Sequence, residues 1–187
     1  MRVILSIIFF IGSILWLPPT YSATIQERDQ VINDVMYICN YYKRDCQLYI
    51  NRDTNIVAVT NFNKITISQG TVNTFPKDEL RAVLFHELSH LLLNHSARGI
   101  NYRETNARLG TPLSTEQQSR LRHKFELEAD RLAVQLLAEL NKPLVLDDAL
   151  LRISIGQDRA KDRFSHPSIN KRIKYIRKQE IKSLLGM

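Results

Sequence analysis

Apolar residues recur at Ile25, Val31, Ile32, Val35, Met36 and Ile38, close to the helical period, and predict an amphipathic helix over 24–39. Between Gln47 and Phe75 the pattern changes to short β-favouring runs, LYI, NIVAV and KITIS, separated by polar NRDTN and TNFN. These predict a small sheet. Pro76 then opens a long helical run, expected from Lys77 to about Ala97, with Asp78 and Glu79 in the first turn where the helix dipole favours them. Residues 98–113, RGINYRETNARLGTPL, are polar and punctuated by Gly and Pro, and predict one long loop, a lid over a site or a passive connector. Ser114 and Gln117 form a capping box that starts a second long helix, which Asn141 and Pro143 end. DDALLRISIGQ reads as a further helical segment, followed by the turn SHPS and a basic terminal helix. The expected class is α+β, mainly helical, with a small sheet packed beside the first long helix.

At 187 residues with 44% hydrophobic positions, the chain has room for one sizeable core, and a single domain over 24–187 is expected. Residues 1–22 differ in character. After Met1 and Arg2, fifteen uncharged residues, VILSIIFFIGSILWL, precede PPTYSA. This reads as a signal peptide cleaved after Ser22, with Thr20 three positions before the cut. The alternative is an uncleaved membrane tether, although the run falls short of the ~20 apolar residues of a spanning helix. Export, to a periplasm or the outside, would let Cys39 and Cys46 form a disulfide, the other reading being that Cys39 is a buried small hydrophobe. The formal charge is +7, and from Asp158 to Met187 nine Lys/Arg face three Asp/Glu. A solvated helix face accounts for this excess, with an anionic membrane surface or an acidic partner as alternatives. No nucleic-acid-binding signature accompanies the charge, which excludes that class.

Chemistry concentrates in HELSHLLLNH, residues 86–95. On a helix, His86 and His90 stand about 40° apart round the axis and can share one metal ion. The intervening Glu87 has the place of the general base in H-E-x-x-H zinc peptidases. Leu84, Phe85, Leu88, Leu91, Leu92 and Leu93 surround these groups with apolar neighbours, and ionisable groups in such a setting need a metal or polar partners. Two core histidines satisfied by hydrogen bonds are the competing reading. The second long helix adds Glu126 and Asp130, four apart on one face. Glu126 would complete a three-ligand set and Asp130 would hold a ligating histidine through its free N–H. His95, about 140° from His90 on a continuous helix, is expected away from the metal. Glu128, about 160° from Glu126, is expected to leave the metal face. His123 is expected to be exposed.

HELSH, then ELEADRLA, then SHPSINKRI resembles, in order and in kind, the HtpX and CaaX prenyl endopeptidase type of zinc metallopeptidase, metallopeptidase family forty-eight. The resemblance spans about Ile56 to Ile176. It implies a zincin-type fold, one Zn²⁺ per chain on His86, His90 and Glu126, Glu87 as base and Asp130 behind a ligand. It also implies that His166 approaches the metal or the developing oxyanion, with Arg172 near the active site. VTNFNKITISQGTVNTF is similar to the family's strand before the zinc helix, an edge on which an extended substrate could align. The chain lacks the several membrane spans of HtpX-like members and the tetratricopeptide array of some exported ones, and so looks like a minimal exported member. The implied activity is endopeptidase action on protein or peptide substrates, with envelope protein quality control as its setting. The alternatives are a zinc-stabilised binding or chaperone-like module, and a latent peptidase in which His166 blocks the metal.

Overall fold

The computed structural model describes residues 22–156 and 166–185, so the apolar run of the expected signal peptide and the first part of the basic C-terminal stretch lie outside the described residues. Helix α1 (Ile25–Tyr41) starts at a capping box in which Thr24 accepts from the Glu27 N–H and the Glu27 carboxylate accepts from the Thr24 N–H. It buries Val31, Val35, Ile38 and Cys39. Cys39 is bridged to Cys46, tying the end of this helix to the first strand. Protein purified without reductant should therefore give no alkylatable thiol. Two labelled cysteines in such a preparation would contradict the bridge.

Strands β1 (Gln47–Asn51), β2 (Ala58–Asn61) and β3 (Lys64–Ser68) form a mixed sheet ordered β1-β3-β2, parallel between β1 and β3 and antiparallel between β2 and β3. The KITIS strand is therefore central, not an edge: Ile65 and Ile67 lie in the core, and pairing on both sides occupies its backbone. The two edges are β1 and β2. The QGTVNT part of the supposed strand region is a short helix, α2 (Gln69–Thr74), capped by the Ser68 side chain. Gly70 allows its close packing, since a Cβ there would meet the Thr54 carbonyl oxygen at 2.1 Å.

Helix α3 (Lys77–Leu92) is buried on nearly every side, and α1, α5, α6 and the β2–β3 face pack around it. Arg81 is also enclosed there, stabilised by ion pairs to Asp34 and Asp78. The helix ends earlier than the pattern suggests. Leu93 caps it and Asn94 takes a left-handed conformation (φ 58°), which redirects the chain into α4 (His95–Arg108). The predicted loop at 98–113 is thus a helix over most of its length. Its sequence has no hydrophobic stripe because α4 buries only His95 and Gly99, one turn apart. The polar remainder is compatible with helix, with Glu104 and Arg108 paired at 3.6 Å. Only the stretch from Leu109 through Gly110 (φ 72°) to Leu113 is irregular.

Helix α5 (Thr115–Glu139) begins at the expected Ser114–Gln117 capping box and runs beside α3. Asn141, at φ 52°, and the bond from the Lys142 N–H to the Leu137 carbonyl turn the chain at its end. Helices α6 (Leu146–Gly156) and α7 (Ile169–Leu184) pack on each other, with Ile176 in the core. The observed class is the α+β arrangement read from the sequence. Among the described residues, no helix is long and apolar enough to cross a membrane.

Candidate metal centre

Adjacent turns of α3 project His86 and His90 toward α5, and their Nε2 atoms stand 3.1 Å apart. Across the α3–α5 seam, the Glu126 carboxylate places Oε2 3.5 Å from His86 Nε2 and Oε1 3.5 Å from His90 Nε2. Among the described residues these three side chains form the group that could hold a metal, their donor atoms lying within 4.8 Å of one another. Two ligands each ~2.0–2.2 Å from one tetrahedral ion are separated by about 3.3–3.6 Å, which the two 3.5 Å spacings to Glu126 match and the 3.1 Å spacing of the imidazoles approaches. The donor chemistry, two imidazoles and a carboxylate, suits zinc. Glu126 Oε2 and His166 Nδ1 are buried and lack hydrogen-bond geometry to any described partner, although they stand 3.0 Å apart. A buried carboxylate oxygen left in this way is a ready ligand.

The outer nitrogens of both histidines are held. Asp130, fully buried on α5, places Oδ1 3.0 Å from His86 Nδ1. Arg172 of α7 clamps the same carboxylate, donating from Nε to Oδ2 at 2.9 Å and from Nη2 to Oδ1 at 2.6 Å. Its Nη1 lies 3.2 Å from Glu126 Oε2. Burial opposes charge on Arg172, but Asp130, Glu126 and Glu87 outweigh it and push its pKa up. Burial likewise opposes the ionised form of Glu126. Its contacts with His166 and His86 and the charge of Arg172 outweigh that and hold it well below the usual carboxylate range. Arg172 thus pairs with Asp130 and stands beside Glu126.

His90 is held by a residue whose role the helical projection missed. Because the chain breaks at Asn94, His95 starts a new helix and turns back, with its Nδ1 2.9 Å from His90 Nδ1. Its Nε2 lies 3.1 Å from Glu128 Oε2, which also accepts from Arg98 at 2.8 Å. The expectation for His95 is corrected in direction: it is outside the ligand group but touches a member of it. Glu128 likewise lies outside the group, yet reaches it through His95. An asparagine, tolerant of the left-handed region, immediately before His95 was the available signal. His123 is half-buried, 3.4 Å from Ser119 Oγ, and outside the group. Removing an outer partner of a metal ligand typically costs ~10–100-fold in affinity. His95→Ala should fall in that range in a zinc competition titration, and Glu128→Ala should cost less. Unchanged affinity in His95→Ala would show that the contact with His90 does not support the metal.

Glu87 faces the same space without joining the ligand group. Its Oε2 accepts from Thr60 Oγ1 of β2 at 2.8 Å, and Thr60 Oγ1 lies equally close to the Glu87 carbonyl oxygen. Nothing in the sequence marked Thr60, because its contact joins two elements 27 residues apart. Burial raises the Glu87 pKa above its ordinary value, against the opposing charge of His86 and the Thr60 hydrogen bond. A buried carboxylate with a raised pKa is suited to exchange protons.

Residues 23–111 match the Peptidase family M48. The match covers a little under half of the chain, from the start of α1 past the end of α4. It contains His86, Glu87, His90 and His95, and stops before Glu126, Asp130, His166 and Arg172, which this structure brings to the same place. A likeness to Peptidase family M48 supports a metallopeptidase function. No curated protein and no solved structure matches the chain.

Proposed function

We propose that the chain is a zinc-dependent endopeptidase of the HtpX and CaaX prenyl endopeptidase type that hydrolyses peptide bonds of protein substrates in an exported compartment. The observation that carries this reading is the division of labour on α3: His86 and His90 join Glu126 in one donor group, while Glu87 between them is held outside it by Thr60. A site serving only structure has no need of such a base. His86, His90 and Glu126 would hold the ion, which supplies a Lewis acid that polarises the substrate carbonyl and makes water acidic.

Glu87 accepts the proton of the attacking water and delivers it to the leaving amine, so one carboxylate serves both halves of the reaction. Thr60 keeps that carboxylate on the substrate side by bonding to its Oε2. Asp130 fixes the His86 ring through Nδ1, and Arg172 fixes Asp130. His166, with a partly exposed side chain beside Glu126, donates to the oxyanion that develops as the carbonyl is attacked. The β2 edge, adjacent to Glu87 through Thr60, offers unpaired backbone groups on which an extended substrate can align. The Cys39–Cys46 bridge supports an oxidising compartment and hence export.

A latent peptidase is the second reading, favoured by the 3.0 Å approach of His166 Nδ1 to Glu126 Oε2. The donor group without His166 favours the open form. Purified protein should degrade an unfolded polypeptide, lose that activity to a chelator and regain it with zinc. Zinc-replete protein that leaves unfolded polypeptide intact would contradict the endopeptidase reading.

A further inference from the structure

A cavity of about 380 Å³ opens beside the metal centre, between α4 and α5. His90, Glu126 and His166 form its inner end, and the β2 residues Thr60 and Asn61 line one side. Gly99, Ile100 and Arg103 of α4 come from the segment that the sequence predicted as loop, and Leu121, Arg122 and Phe125 come from α5. Its size falls within the ~300–1,000 Å³ range of small-ligand pockets.

The chemistry of the walls is divided. Phe125 is buried and stacked on His95, with ring centroids 4.3 Å apart, so it is a fixed apolar surface. Ile100 and Leu121 are half-buried beside it. Gly99 leaves space open: a Cβ there would meet a single atom within 4 Å, Phe125 Cε2 at 3.6 Å. Any side chain longer than a methyl at this position would extend into the cavity. Arg103 and Arg122 are exposed, and among the described residues neither has an acidic partner, whereas Arg98, Arg108 and Arg120 are all paired. Against the wall of Gly99, Ile100, Leu121 and Phe125 a polar side chain would lose its water without gaining partners, while the polar Ser96 and Gln118 line the cavity elsewhere. An acidic group beside the entrance would meet the guanidinium groups of Arg103 and Arg122.

We propose that this cavity receives one substrate side chain next to the scissile bond, selecting a large apolar residue flanked by an acidic one. The inference rests on the endopeptidase reading and specifies its substrate class. Its determinants are Gly99, Leu121 and Phe125 for the apolar residue, and Arg103 with Arg122 for the acidic neighbour.

The test uses quenched-fluorescent peptides carrying Leu or Ala at one position, with Glu or Lys beside it. Cleavage by zinc-loaded wild type is compared with binding of the same peptides, by fluorescence anisotropy, to zinc-loaded Glu87→Gln. A methylene-sized change in an apolar pocket is worth ~10–200-fold in discrimination. Gly99→Leu should therefore lower kcat/KM and binding for the Leu peptide by roughly that factor while sparing the Ala peptide. Leu121→Trp fills the space from α5 and should shift selection in the same direction, which covers a Gly99→Leu protein that does not fold. Arg103→Glu with Arg122→Glu should exchange the preference for Glu for one for Lys, by about 2–5-fold for exposed charges. A Leu-to-Ala ratio unchanged in both cavity-filling variants, with cleavage intact, would overturn the subsite and leave the peptidase reading standing. Wild type that cuts none of the peptides, while binding to Glu87→Gln prefers Leu and loses that preference on filling, would support the subsite and remove the peptidase.

Discussion

Glu87→Gln should lower peptide hydrolysis by about 10²–10⁴-fold, the usual contribution of a general base, with zinc content per chain unchanged. The amide nearly matches the carboxylate in shape and can still pair with Thr60, so the local fold should persist. It cannot accept the proton of the attacking water. Separating the two readouts is essential, because Glu87 sits between two ligand residues on the same helix and near the same space. Zinc analysis and kcat/KM on the same preparation decide it. Parallel loss of zinc and activity would make Glu87 a ligand or a structural group instead of the base.

Glu126→Ala should weaken zinc binding by more than the ~10–100-fold typical of an outer partner. Glu126 is the only donor that α5 contributes to the group, and its two oxygens face the two imidazoles separately. The buried Arg172 would keep Asp130 as a partner, so circular dichroism should show the helices intact. Asp130→Ala should be milder for zinc, because His86 itself remains. If Glu126→Ala retained zinc while Asp130→Ala released it, the carboxylate assignments on α5 would have to be exchanged.

The parts of this architecture that were legible in the sequence are those fixed by local signals. A capping box placed the start of α5, helical periodicity placed α1, short β-favouring runs placed three strands, and four-residue spacing placed His86 with His90 and Glu126 with Asp130. What the pattern obscured was tertiary in origin. Helix α4 buries two positions only, so it carries no amphipathic stripe. One left-handed residue, Asn94, separates it from α3, and that break reverses the direction assigned to His95. The order β1-β3-β2 depends on a parallel pairing that no turn specifies, and of the stretch from Val59 to Phe75 read as an edge it leaves only the β2 part at the edge. Thr60 acquires its place from that edge.

Diffraction from zinc-soaked crystals at the zinc absorption edge would locate the ion. One anomalous peak per chain is expected, ~2.0–2.2 Å from His86 Nε2, His90 Nε2 and a Glu126 oxygen. Glu87 and His95 should lie outside bonding distance. A peak coordinated by His95, His123 or Glu128 in place of Glu126, or no peak between α3 and α5 at saturating zinc, would contradict that placement.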